Sequence, residues 1–190
     1  MKNLIYKLAI LLFTAGFLWV PEGFSQQFKQ DRKLTKKEMK ESRKAMLFSN
    51  FQVIEMLLES KSFVLEAEFL KNKHGVPIPV TSRLNFIEVD TPRVVLQTGT
   101  SNHPAFNGVG GVTAEGKISR WEVKKDPEKL SYTVVFTTTT DLGSYEIIMT
   151  VEADATATAT ITGETRGSLT YRGNLVAAYN SKVIKGQRSL

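Results

Sequence analysis

The 190-residue chain has no cysteine, and that absence removes several kinds of protein at once. No disulfide can staple it, no thiolate can attack a substrate or hold zinc, and no lipid can be attached at an N-terminal cysteine. Histidine is almost as scarce: His74 beside Gly75 and His103 beside Pro104 are the only two. Both fall in expected loops without a ligand-spaced partner, whereas a zinc site needs about three protein ligands, so no metal or other cofactor is expected. No Gly-x-Ser-x-Gly elbow appears. The run Gly108-Val109-Gly110-Gly111-Val112-Thr113 misses the Gly-x-Gly-x-x-Gly pattern at its last position, and no Gly-Lys-Ser/Thr follows. Glycines in the segment 107–116 read more simply as turn and close-contact positions than as an anion cradle.

A membrane-spanning run is missing too. The uncharged apolar stretch Leu8–Val20 falls short of the ~20 residues that cross a bilayer core. Lys2 and Lys7 precede it, and Gly23 and Ser25 follow at small-residue positions before a cut ahead of Gln26. This is the grammar of a cleavable Sec signal peptide over residues 1–25. The expectation is an exported protein, periplasmic or extracellular, with no stable membrane span after cleavage, a flexible linker over 26–34 and one domain over 35–190. Loss of Lys2, Lys7 and Glu22 leaves 23 basic against 18 acidic residues, with much of the excess in Lys29–Lys44. That stretch would suit an anionic envelope surface, but a solvated helix face is the simpler account. Export and the lack of an aromatic-basic stripe disfavour nucleic acid as a partner.

What is present is pattern. Thr35-Lys36-Lys37-Glu38 has capping-box spacing, which predicts a helix over 36–60. Met39, Met46, Val53 and Leu57, joined by Ile54 and Leu58, form its apolar stripe, and the C-terminal half is expected to dock on the core. After Ser60 the period changes to two. Phe63, Leu65, Ala67 and Phe69 share a face opposite Glu66 and Glu68, and strands follow over Val80–Asp90 and Arg93–Gln97. Further strands are expected around Trp121, over Leu130–Phe136, over Tyr145–Val151 and through the alanine–threonine alternation of 155–162. A last strand starts at Leu169 and extends toward Val183. Inward alanines at 157 and 159 leave room for something bulky, and the N-terminal helix lying over this strand is the expected occupant. The order is an antiparallel meander: mainly β, a lipocalin-like barrel or a two-sheet sandwich, with one N-terminal helix packed on it.

The phrase Glu59-Ser60-Lys61-Ser62-Phe63-Val64-Leu65-Glu66-Ala67, the glycine-rich central loop and the closing Gly167-Ser168-Leu169-Thr170-Tyr171-Arg172-Gly173 resemble the DUF4251 family of exported Bacteroidetes proteins. The resemblance covers nearly all of the chain after the leader. It implies a cell-envelope β domain of unknown function and supplies no catalytic residue. Members are expected to carry a Leu-Pro-Tyr-like loop after the third strand, where this chain has Leu96-Gln97-Thr98-Gly99-Thr100-Ser101-Asn102.

Carboxylates are spread rather than paired. Asp126, Glu128, Asp141 and Asp154 fall in turns, while Glu66 and Glu68 occupy a solvated strand face. Trp121, Tyr132, Tyr145 and Tyr171 fall on inward faces, as core in a filled fold or as the wall of an apolar pocket in an open barrel. They are the candidate ligand-binding residues. The expected function is non-enzymatic: a module that binds a small apolar ligand or another envelope component. The alternative is an enzyme acting on an envelope glycan or lipid, with the loop 98–113 over its site.

Overall fold

In a computed structural model the chain is described over residues 22–71, 75–100, 108–164 and 167–189, with side chains from Thr35 onward. The expected signal-peptide core, His74 and His103 lie outside the described residues. Among the described residues a helix, α1 (Glu22–Ser60), leads into nine strands. These are β1 (Ser62–Lys71), β2 (Pro77–Pro79), β3 (Phe86–Asp90), β4 (Arg93–Thr98), β5 (Val112–Asp126), β6 (Ser131–Thr140), β7 (Gly143–Glu152), β8 (Thr156–Gly163) and β9 (Ser168–Ala177). The backbone is helical well before Lys36, through the segment expected as a linker, and Thr35 sits inside the helix rather than at its cap. No proline or glycine interrupts the run from Phe24 to Ser60, so nothing in it stops a helix early.

The chain divides into an N-terminal unit ending at Lys44 and a compact unit from Ala45 to Leu190. In the first, every described side chain from Thr35 to Lys44 is exposed, and Lys37 pairs with Glu41 one turn on. The second holds the sheet.

Every strand pairing is antiparallel, and β9 returns to pair with β1. Eight strands therefore close into a barrel in the order β1-β3-β4-β5-β6-β7-β8-β9, with β2 as an extra strand beside β1. Closure decides between the two expected architectures in favour of the barrel. It depends on a close approach at Gly173, paired with Ala67 where the β1–β9 register shifts. A Cβ at Gly173 would run into the Glu66 carbonyl and the Ala67 backbone, which is why the bend takes glycine.

The long second strand expected over Val80–Asp90 is interrupted. β2 pairs with Phe69–Lys71 and β3 with Ser62–Glu66, both along the same edge of β1. Between them the chain bulges outward, and Asn85 ties the excursion down. Its Nδ2 donates to the carbonyls of Thr81 and Gly99, and its Oδ1 accepts from the Gly99 amide.

The interior is filled by alternate residues, among them Phe63, Leu65, Val134, Phe136, Ile147 and Met149, all fully buried. Ala157 and Ala159 face this interior, as expected. What they make room for is the packed barrel, to which α1 contributes Phe51, Ile54 and Leu58 in the same cluster. The helix closes one end of the barrel rather than lying over β8. Phe51 stacks on Tyr132 at the start of β6 with ring centroids 4.5 Å apart, and Glu55 pairs with Lys125 at the end of β5.

The C-terminal half of the helix docks as expected, through Ile54 and Leu58 of the expected stripe, but the rest of that stripe is turned away. Met39, Met46 and Val53 are more than half exposed, and Leu57 is only half-buried. The docked face is Leu47, Phe51, Ile54 and Leu58, at spacings of four, three and four. Leu47 and Phe51 take the places expected for Met46 and Val53 on the docked face, and Phe51 reaches the aromatic interior.

The end of the chain does not extend β9 to Val183. After Ala177 it makes one short 3₁₀ turn, Ala178–Asn180, and crosses the outside of β1, β3, β4 and β5 as a strap. Ser181 and the Lys182 amide donate to Glu66, Lys185 pairs with Glu88, and Arg188 pairs with Asp141. The strap covers a small outer core of Val64, Phe86 and Val95, joined by Val183.

Its anchor is Gln97, which is fully buried and points outward from β4. Nε2 donates to the carbonyls of Leu84 and Ile184, and Oε1 accepts from the Thr113 hydroxyl and the Gly186 amide. All four capacities of the amide are used. Gln97→Ala removes four hydrogen bonds made by a fully buried side chain and is expected to destabilise the protein by about 2–4 kcal/mol. Urea unfolding should show a lower midpoint at unchanged slope; a midpoint within error of the parent would contradict the anchoring role.

Candidate functional site

A barrel plugged at one end has one mouth left. Here it lies where β4, β6 and β8 finish and β5, β7 and β9 begin. A cavity of about 350 Å³ opens there. Leu96, Val112, Ala114, Ile161 and Leu169 supply apolar wall, Tyr145 and Tyr171 supply rings, and Thr98 and Ser168 supply hydroxyls. Among the described residues no charged side chain lines it.

Tyr171 forms the floor. It rises from β9, is 1% exposed, and its hydroxyl donates to the Gln97 carbonyl of β4 at 3.1 Å, so the ring crosses the interior. Burial pushes its phenol well above the ordinary tyrosine range. Tyr145 stands half-buried at the rim and donates to Leu142 in the β6–β7 turn.

The other two aromatics expected to bind a ligand stand at the plugged end. Tyr132 is buried, stacked on Phe51, and donates to the Phe51 carbonyl at 3.2 Å. Burial, with the Glu55 charge nearby, raises its phenol as well. Trp121 is half-buried, 5.3 Å from the Phe136 ring and 6.1 Å from the Phe63 ring, with the Lys61 ammonium over its face. Trp121 and Tyr132 border a separate groove of about 400 Å³ between α1 and β5. The four aromatics thus share the inward side of the sheet but split into two pairs at opposite ends of the barrel. Inward orientation was legible from alternation; the end at which each ring sits was not.

A third hollow, of about 630 Å³, lies on the outer wall of β1, β8 and β9, with Phe69, Lys71, Glu152 and Arg172 around threonines 156, 158 and 170. Thr156 and Thr158 belong to the alanine–threonine alternation, and Thr170 comes from β9. The glycine-rich segment gives no cradle among its described residues. Gly111 packs directly on the Thr98 carbonyl, where a Cβ would collide, and Val109 is buried. Among the described residues no group of three or more histidine and carboxylate side chains converges as a metal would require.

Residues 46–175 match the family described as Domain of unknown function (DUF4251). The chain belongs to the DUF4251 family. A crystal structure of a DUF4251 family protein from Bacteroides eggerthii is similar to it at 28% identity, over 70% of this chain and 91% of that one, with a TM-score of 0.58. No curated protein matches the chain. The family boundary at residue 175 leaves the strap outside the matched segment, so Gln97 lies within the DUF4251 domain while two of its bonds go to residues beyond it.

The Tyr171 floor carries a pH signature. The folded state holds the phenolic proton more tightly than the unfolded chain, whose tyrosines titrate near pH 10. Stability from this group is intact below about pH 10 and falls as pH rises above it, by about 1.4 kcal/mol at one unit above. Tyr171→Phe should cost about 1 kcal/mol at neutral pH and flatten the alkaline fall. Denaturant titrations of both proteins between neutral and alkaline pH test this, and parallel curves would show that Tyr171 ionises freely.

Proposed function

We propose that this DUF4251 protein is an exported, non-enzymatic binding module of the cell envelope that takes one small, uncharged apolar molecule into the barrel mouth. The observation that carries the reading is the mouth cavity itself: apolar walls, an aromatic floor and rim, a few hydroxyls and, among the described residues, no charge. About 350 Å³ is at the low end of small-molecule sites, which suits a single ring system or a short acyl chain. A charged ligand would lose its hydration there with no counter-charge among the described lining residues.

Among the described residues the lining contains no carboxylate, imidazole or amine. A hydroxyl nucleophile there would have no base beside it, which favours binding over catalysis. The leader grammar of residues 1–25 supports export to the periplasm or beyond, and among the described residues no helix is long and apolar enough to cross a membrane.

The test uses the probe N-phenyl-1-naphthylamine, whose fluorescence rises in apolar sites, and native mass spectrometry of protein taken from its own host. One saturable site per chain and a co-purifying small molecule are expected. Leu169→Trp, which fills the half-buried lip of the cavity, should weaken the probe by roughly tenfold or more at unchanged melting temperature. Absence of saturable binding together with an empty mass spectrum would sink the proposal.

A further inference from the structure

β5 outruns its neighbour. β4 pairs with it only from Thr98↔Val112 to Arg93↔Lys117, while β6 follows it to Asp126. A bulge at Ser119, between Ile118 and Arg120, marks the departure, and the Ile118 amide makes the last bond on the β4 side, to Pro92. Among the described residues no strand pairs with that edge beyond Ile118. Ladder bonds alternate between the two sides of a strand, so the amides and carbonyls of Trp121, Val123 and Lys125 point out of this open edge. The segment is mostly solvent-exposed, including Val123 at 42%. Such an edge is a template for another strand unless something blocks it. β2, the other exposed strand, is blocked by prolines at 77 and 79; β5 has no proline.

The order of charges identifies the strand that fits. Arg120, Glu122, Lys124 and Asp126 alternate with Trp121, Val123 and Lys125. When the segment is laid antiparallel against a copy of itself with Val123 at the centre, Arg120 opposes Asp126 and Glu122 opposes Lys124. By symmetry each pair occurs twice. On the other face Trp121 opposes Lys125, a ring against an ammonium. Outward-pointing backbone groups can meet only in registers that differ by two residues. A slip of two in one direction places Glu122 opposite itself and Arg120 opposite Lys124. A slip the other way places Lys124 opposite itself and Glu122 opposite Asp126. Like charges directly opposed across a ladder are destabilising, so the Val123-centred register is preferred over both.

We infer that β5 pairs with β5 of a second copy of this chain, antiparallel about Val123, and joins two barrels into one continuous sheet. The interface is isologous, as a two-fold dimer requires. It lies at the plugged end, away from the mouth, and stands whether or not the mouth binds a ligand. The exposed Arg120–Glu122 ion pair within each chain, at 2.7 Å, becomes part of a ladder of four cross-strand charge pairs along the seam.

The experiment is sedimentation velocity of the purified protein over a concentration series, with four variants. The parent is expected to be a dimer that weakens with added salt. Val123→Pro removes the central amide at an edge position where proline is tolerated by the fold, and should be a monomer with an unchanged melting temperature. Glu122→Lys and Lys124→Glu each set like charges opposite one another twice, and should weaken dimerisation by roughly tenfold or more. The swap E122K/K124E should restore it to within about threefold of the parent. A monomer at every concentration up to about 1 mM, or a dimer indifferent to Val123→Pro and to the charge variants, overturns the inference.

Discussion

The pairing of β9 with β1 is the constraint on which the rest of the structure depends. Without it, the strands would form an open sheet with one face to water and two long edges. With it, the inward residues become a closed core and most of the edge problem disappears. The pairing needs two irregularities, a register shift between Ala67 and Phe69 and a residue without a side chain at 173. Both allow the sheet to bend sharply enough to meet itself. Once the wall is closed, function is confined to its ends, its outer surface and the stretch of β5 that runs past the wall.

The two ends are made unlike by the helix. Phe51, Ile54 and Leu58 enter the core cluster, and Phe51 meets Tyr132 face to face. Lys125 then bridges Glu55 and the rings of Phe51 and Tyr132, so that α1 and the projecting end of β5 are held together by charge as well as by packing. The Glu55 partner raises the Lys125 ammonium above its ordinary value, in keeping with a pair formed at the surface. At the far end nothing equivalent intrudes among the described residues, and the Tyr171 ring is the lid of the core and the floor of the cavity at once.

The strap shows what alternation cannot reveal. From Ser181 onward the chain has no strand period to read, and Gln97 looks like the polar residue of an ordinary half-buried strand. Only the fold brings Leu84, Thr113, Ile184 and Gly186 around its amide, from positions far apart in the chain. A glutamine flanked by Val94, Val95 and Leu96 in a continuous apolar run was the one available signal, because a strand buried on both faces needs a reason to carry a buried amide. Likewise Ile54 and Leu58 were legible as docking residues of the helix, but that Phe51 rather than Val53 joins them required the shape of the barrel end.

The sequence by itself determined the class of fold, the number and direction of the main strands and the inward placing of Trp121, Tyr132, Tyr145 and Tyr171. These follow from a period of two and from turn residues, which are local. Tertiary structure decided the closure, the rotation of the helix, the course of the strap, which end stayed open and which strand kept an unpaired edge. Each depends on residues distant in sequence meeting in three dimensions, and a pattern of neighbours carries no record of those meetings.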